Sequence, residues 1–212
     1  MKALFLKYRH FLLFSLFGVL SLLYFVLQLQ DAVPYVVGVP LDDAIPFLPG
    51  FILPYIFWYA YVPLLMLWVG LRDKSAFLRL CTVFFLGAFL CILLFYFFPT
   101  TITFRPHAEG DGVMLWLCRL IFANDKTLNV CPSLHCYEAI MVHLAAFHCK
   151  PLRRHRAVRV LSLLVAVLIC LSTVFVKQHS VVDVVCGVAL AVVLYILFYR
   201  VLWRDSYEGH SF

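Results

Sequence analysis

The chain has 212 residues, 65% of them hydrophobic and only 13% charged, with a formal charge of +6 and a mean hydropathy of +0.98. Soluble domains run at about 45–50% apolar and about 25% charged, so a soluble globular domain is excluded and an integral membrane protein is implied. The basic residues fall in short clusters between apolar runs, a pattern that sets membrane orientation and does not point to nucleic acid.

A helix crosses a bilayer with about 20 mostly apolar residues. Six runs of that kind occur in chain order: 11–29, 51–71, 77–98, 133–149, 158–176 and 180–203. The first is Phe/Leu-rich and lacks a small-residue cleavage pattern, so it reads as a retained helix and not as a cleaved signal. Between it and the second run, residues 31–50 carry Asp31, Asp42, Asp43 and four prolines without a Lys or Arg, which predicts an irregular outer loop.

Residues 99–130 form the next outer connection. They include Arg105 and His107, then an apolar stretch, 113–122, with Trp116 and Arg119, too short to span and expected to lie in the interface. The fourth run is the least apolar, because it carries His135, Glu138 and His143. Ionisable groups inside a membrane are expensive, and a helix that carries them turns them toward protein or a wet cavity. Glu138 follows His135 by one turn and could tune it, face such a cavity or pair with a basic group. His143 and His148 run toward the far end and read as structural.

Of the 17 Lys and Arg residues, 13 fall at the two termini and in the second-to-third and fourth-to-fifth connections. The positive-inside rule therefore predicts cytoplasmic termini, with the odd-numbered connections outside. The expected fold is all-α: a polytopic bundle of six transmembrane helices, with the interfacial helix in the third-to-fourth connection. One membrane domain accounts for residues 1–212, with a catalytic core at about 99–187. The eight cysteines show no metal-type spacing, and Cys118 and Cys131 share the outer side, where a disulfide between them is open.

Two segments carry chemistry. In Cys131-Pro132-Ser133-Leu134-His135 a polar loop gives way to a helix, and proline suits a first turn. The free N–H groups of such a terminus, with a Ser hydroxyl beside them, favour an anion. In Lys177-Gln178-His179-Ser180-Val181-Val182-Asp183, His179 and Asp183 are four residues apart and share a helical face. A carboxylate so placed fixes an imidazole's tautomer and stabilises its charged form, as a histidine nucleophile or base requires. Between His135 and His179 the chain crosses inward and returns, so both sit on one membrane face. Arg105 is available at that face for bidentate phosphate binding. Zinc on His107, His135, His179 and Asp183 is a weaker reading, since no close-spaced ligand pair supports it.

Arg105-Pro106, Pro132-Ser133-Leu134-His135, and Ser172 with His179 and Asp183 resemble the three signatures of the type 2 phosphatidic acid phosphatase superfamily, over roughly residues 99–187. The Ser-Leu-His form and the Lys-Gln-His run look more like its inositol phosphorylceramide synthase branch. The resemblance implies that His179 attacks phosphorus to form a phosphohistidine while Asp183 orients it and His135 protonates the leaving oxygen. Arg105, Ser133 and backbone amides are then the expected phosphate ligands, without a metal or other cofactor, and Lys177, or Lys126 in the loop, is the expected substitute for two cations of the pattern. The family pattern has a Lys where this chain has Phe98 and an Arg where it has Thr173.

The implied substrate is a phospholipid or lipid phosphate, met at the extracytoplasmic face of the cell membrane. The phosphoryl group passes to water in a phosphatase. In a phosphotransferase it passes to a lipid alcohol such as ceramide or diacylglycerol. The rival from another class is a non-catalytic transporter.

Overall fold

The computed structural model describes residues 6–203, so Lys2 and Arg204 of the charge count lie outside the described residues. Nine α-helices are present among them. They are α1 (Ser15–Leu27), α2 (Pro40–Ala44), α3 (Ile52–Arg72), α4 (Lys74–Phe97), α5 (Val113–Asn124), α6 (Leu134–Ala146), α7 (Lys150–Arg153), α8 (Arg156–Phe175) and α9 (Val181–Tyr195). A 3-10 turn, Arg9–Phe14, leads into α1, and π-helical turns, Ile196–Leu202, extend α9.

Five helical segments are long and apolar enough to cross a membrane: Leu6–Leu27, Pro49–Arg72, Lys74–Phe97, Arg156–Phe175 and Val181–Leu202. The fourth expected span, 133–149, differs. Its helix α6 has only 13 residues, about 20 Å at 1.5 Å per residue, short of a 30 Å hydrocarbon core. The reason is its surroundings, since α6 is the centre of the bundle and packs on α3, α4, α8 and α9. A helix wrapped by protein has no bilayer thickness to match. The expected interfacial segment is helical, as the 12-residue α5.

The packing follows from residue chemistry. Tyr137, Met141, Val142, Phe77, Phe84 and Ile169 are fully buried around α6. The Tyr137 hydroxyl donates to the Val83 and Phe84 carbonyls of α4, at 2.7 and 3.1 Å. Leu22, Phe25, Leu161, Leu164 and Val193 face outward, as expected where hydrocarbon is the solvent. At the far end of α6, His143 pairs with Ser162 Oγ at 2.9 Å and His148 with Tyr195 at 2.9 Å, both structural contacts.

Two local devices place the segments that carry Arg105, His135 and His179. The loop between the first two spans and the third-to-fourth connection are tied by a two-residue parallel pairing, Tyr35 with Thr100 and Val36 with Thr101. Helix α8 ends at Phe175, and two residues on Lys177 takes a left-handed φ of 59°; the His179 N–H returns to the Thr173 carbonyl at 3.1 Å. That reversal carries the chain from α8 into α9 with His179 at the corner. Cys118 and Cys131 are both free thiols, so the open disulfide is not formed.

Candidate active site

Helix α6 begins where Ser133 caps it, its Oγ accepting the Cys136 N–H at 3.4 Å. Helix α9 begins with a capping box: Ser180 Oγ accepts the Val182 N–H at 3.2 Å, and Asp183 Oδ2 accepts the Ser180 N–H at 2.9 Å. The two helix starts are joined directly, with the Ser133 N–H donating to the Asp183 carbonyl at 3.0 Å. Gly187 allows that approach. A Cβ there would lie 2.5 Å from the Ser133 carbonyl oxygen and 3.3 Å from Cys136 Cβ.

The crossing brings the two histidines together. His179 Nε2 lies 3.4 Å from His135 Nδ1, and His179 Nδ1 lies 3.3 Å from Asp183 Oδ2. With Nδ1–H donated to the carboxylate, Nε2 presents its lone pair toward His135. That is the tautomer a nucleophile needs. Burial pulls the His179 pKa down, but the Asp183 carboxylate outweighs it and leaves the imidazole above its ordinary value. The His135 ring is clamped between Tyr55 and Trp58, at centroid distances of 4.6 and 4.4 Å.

The remaining expected ligands are placed differently. Arg105 lies over the Phe122 ring, donates to the Asp125 carbonyl at 2.8 Å and also bonds Gln178, the neighbour of His179. Burial draws its pKa down and Asp125 opposes the change; its Nε has no partner among the described residues. Lys177 is buried, bonds the Asp42 carbonyl and sits over Phe104. It is thus not in hydrogen-bond contact with the histidine pair. The two positions that depart from the family pattern offer no replacement cation: Phe98 is exposed, and Thr173 is buried with its hydroxyl on the Cys170 carbonyl.

Three residues that the sequence reading did not single out complete the site. Asp125 accepts Tyr24 and Tyr55 hydroxyls at 3.0 and 2.6 Å while its carbonyl holds Arg105. Gln178 bridges Arg105 to the His179 corner. Asp42, 1% exposed, accepts from Ser180 Oγ at 2.7 Å and from the Val181 N–H at 2.8 Å, so the loop between the first two spans caps α9. Gln178 adjoins His179, and that adjacency was the available signal for it.

Both histidines line a cavity of about 240 Å³ that is mostly apolar. Its walls come from α1, α3, α4, α5 and α6, with Glu138 one turn below His135. A second, open pocket on the other side of Arg105 is lined by Arg119, Lys126 and His107. Among the described residues no group of three or more His, Cys, Asp or Glu is arranged to hold a metal ion.

The arrangement is therefore a histidine pair backed by a carboxylate, in the wall of a mostly apolar cavity. The profile of the PAP2 superfamily matches residues 51–197, more than half of the chain. The chain belongs to the PAP2 superfamily. Membership supports a phosphatase or phosphotransferase type of activity, and the matched span contains Arg105, His135, His179 and Asp183. The first helix, which walls the cavity, precedes the part of this PAP2 chain that the profile matches. No curated protein matched the chain.

Proposed function

We propose that the protein cleaves a lipid phosphoester by transient phosphorylation of His179. The supporting observation is the geometry of one atom. Nε2 of His179 is oriented by Asp183 from behind and faces His135, in the wall of a mostly apolar cavity. In the first step the Nε2 lone pair attacks phosphorus, the P–O bond to the leaving group breaks, and His135 delivers the proton to that oxygen. In the second step the acceptor oxygen attacks the phosphohistidine, returning the proton to His135 and freeing His179.

Arg105, held by Asp125 and Gln178, would take the phosphoryl oxygens together with the free N–H groups around Ser133. Lys177, held on Asp42, would contribute through its charge and not by contact. The positive-inside count supports cytoplasmic termini and an extracytoplasmic site in the cell membrane.

Transfer to a lipid alcohol is the second reading, nearest to the inositol phosphorylceramide synthase branch. It is favoured by the absence of cations at Phe98 and Thr173 and by a cavity able to admit an apolar acceptor. Labelled phosphate from a phospholipid or lipid phosphate should be trapped on the purified protein by rapid quenching and lost in His179→Ala. Trapping that survives in His179→Ala would sink the phosphohistidine reading, and uptake of substrate without any covalent label would favour a transporter. Supplying ceramide or diacylglycerol separates transfer from hydrolysis.

A further inference from the structure

The apolar cavity holds two polar groups that the phosphoryl chemistry does not use. Glu138 is 8% exposed and lines the cavity, and its Oε2 has no hydrogen-bond partner among the described residues. Trp58 lines the same cavity, and its Nε1–H is likewise buried and unpartnered. Among the other wall residues, Asp125 is engaged by two tyrosine hydroxyls, and His135 and His179 by one another. Buried polar groups are ordinarily satisfied, and an unpaired carboxyl in apolar surroundings is costly. One acceptor and one donor left empty in one cavity point to an occupant that supplies both partners.

Position restricts that occupant further. The Trp58 ring packs at a tilt against the His135 ring, centroids 4.4 Å apart, which sets the indole beside the histidine pair. Glu138 follows His135 by three residues on α6, about 4–5 Å deeper along the helix. That separation is spanned by about three to four covalent bonds. A lipid alcohol with its hydroxyl at the histidine pair and its chains along the cavity would set the linkage on its next carbon against these two groups.

Resting on the lipid-transfer reading above, we propose that Glu138 and Trp58 form a selectivity subsite for a lipid alcohol that carries an amide beside its reacting hydroxyl. The amide N–H meets Glu138, and the amide carbonyl accepts from Trp58 Nε1–H. A glycerol diester offers carbonyls but no N–H, and leaves a Glu138 oxygen unpaired. Glu138 touches no reacting atom and acts as a specificity residue.

The test is competition binding to the full chain in mixed micelles. A radiolabelled N-acyl amino-alcohol lipid is displaced by the same unlabelled lipid or by a 1,2-diacylglycerol of equal chain length. The wild type should favour the amide lipid by about tenfold, the usual effect of leaving one buried polar group unpaired. E138L should bring the ratio near one, W58F should lower it about threefold, and E138Q, which still offers an acceptor and a donor, should keep it. Equal binding of the two lipids by wild type overturns the proposal, as does a ratio unchanged in E138L or lost in E138Q. If E138L binds neither lipid, W58F decides, and an unchanged ratio there overturns it. H179A is measured in parallel and should keep the ratio. Failure of the phosphohistidine mechanism therefore shows in the trapping experiment and leaves this measurement intact.

Discussion

At the scale of single residues, the site depends on which form of His179 exists at working pH. Asp183 raises the His179 pKa above the ordinary value of about 6.5, against the opposing effect of burial. In the proposed mechanism the nucleophile is the neutral imidazole, so activity should be present above the raised pKa and fall as pH drops through it. The acid limb of kcat/KM should accordingly have its inflection above about 6.5. Asp183→Asn removes the charge that holds the proton on, so the inflection should move to lower pH. The rate should fall on the order of a hundredfold or more, because the tautomer is no longer fixed. An acid limb that stays in place in Asp183→Asn would separate the carboxylate from the titrating group. The pairing was legible because a spacing of four is a local rule. Lys177 was legible only as a charge, since its direction is set by Asp42, 135 residues away.

At the scale of elements, everything depends on how closely α6 and α9 cross. Their contact is main chain against glycine: the Ser133 carbonyl faces Gly187, one turn beyond Asp183. Gly187→Ala must push the helices apart or tilt them, and His135 and His179 sit at the ends being moved. Overpacking of this kind costs about 1–3 kcal/mol of stability. Activity should fall further than stability, about tenfold or more, because a displacement of less than 1 Å is large for a phosphoryl transfer. Thermal unfolding in detergent and kcat, measured side by side, check it. A Gly187→Ala protein with native kcat would show that the crossing has slack. The sequence pattern foretold the helix hairpin that returns both histidines to one face. It did not foretell that α6 would be short, because hydropathy measures suitability for lipid and α6 is surrounded by protein. Asp42 and Asp125 escaped for a related reason: each acts on partners about 70 to 140 residues away, which no local spacing encodes.

At the scale of the whole molecule, the cavity is built by an element outside the matched family region. Helix α1 contributes Phe17, Leu20, Ser21, Tyr24 and Phe25 to its wall, and Tyr24 reaches across to Asp125. Few residues of that first span are buried, so most of its surface is left to face lipid. A wall element packed lightly against its neighbours is the natural place for a chain to enter sideways from the bilayer. Ser21 tests this, because it is exposed and small and lines the cavity without holding the fold. Ser21→Trp adds an indole at the cavity wall and removes no core contact. Turnover of a long-chain lipid phosphate should drop about tenfold or more, chiefly through KM. A water-soluble phosphoester with no acyl chain needs only the histidines and Arg105, and its turnover should stay within about twofold. If Ser21→Trp slows both substrates equally, the obstruction has reached the histidines and the cavity is no separate route. If it slows neither, the acyl chains enter by another face, and α1 serves the fold alone.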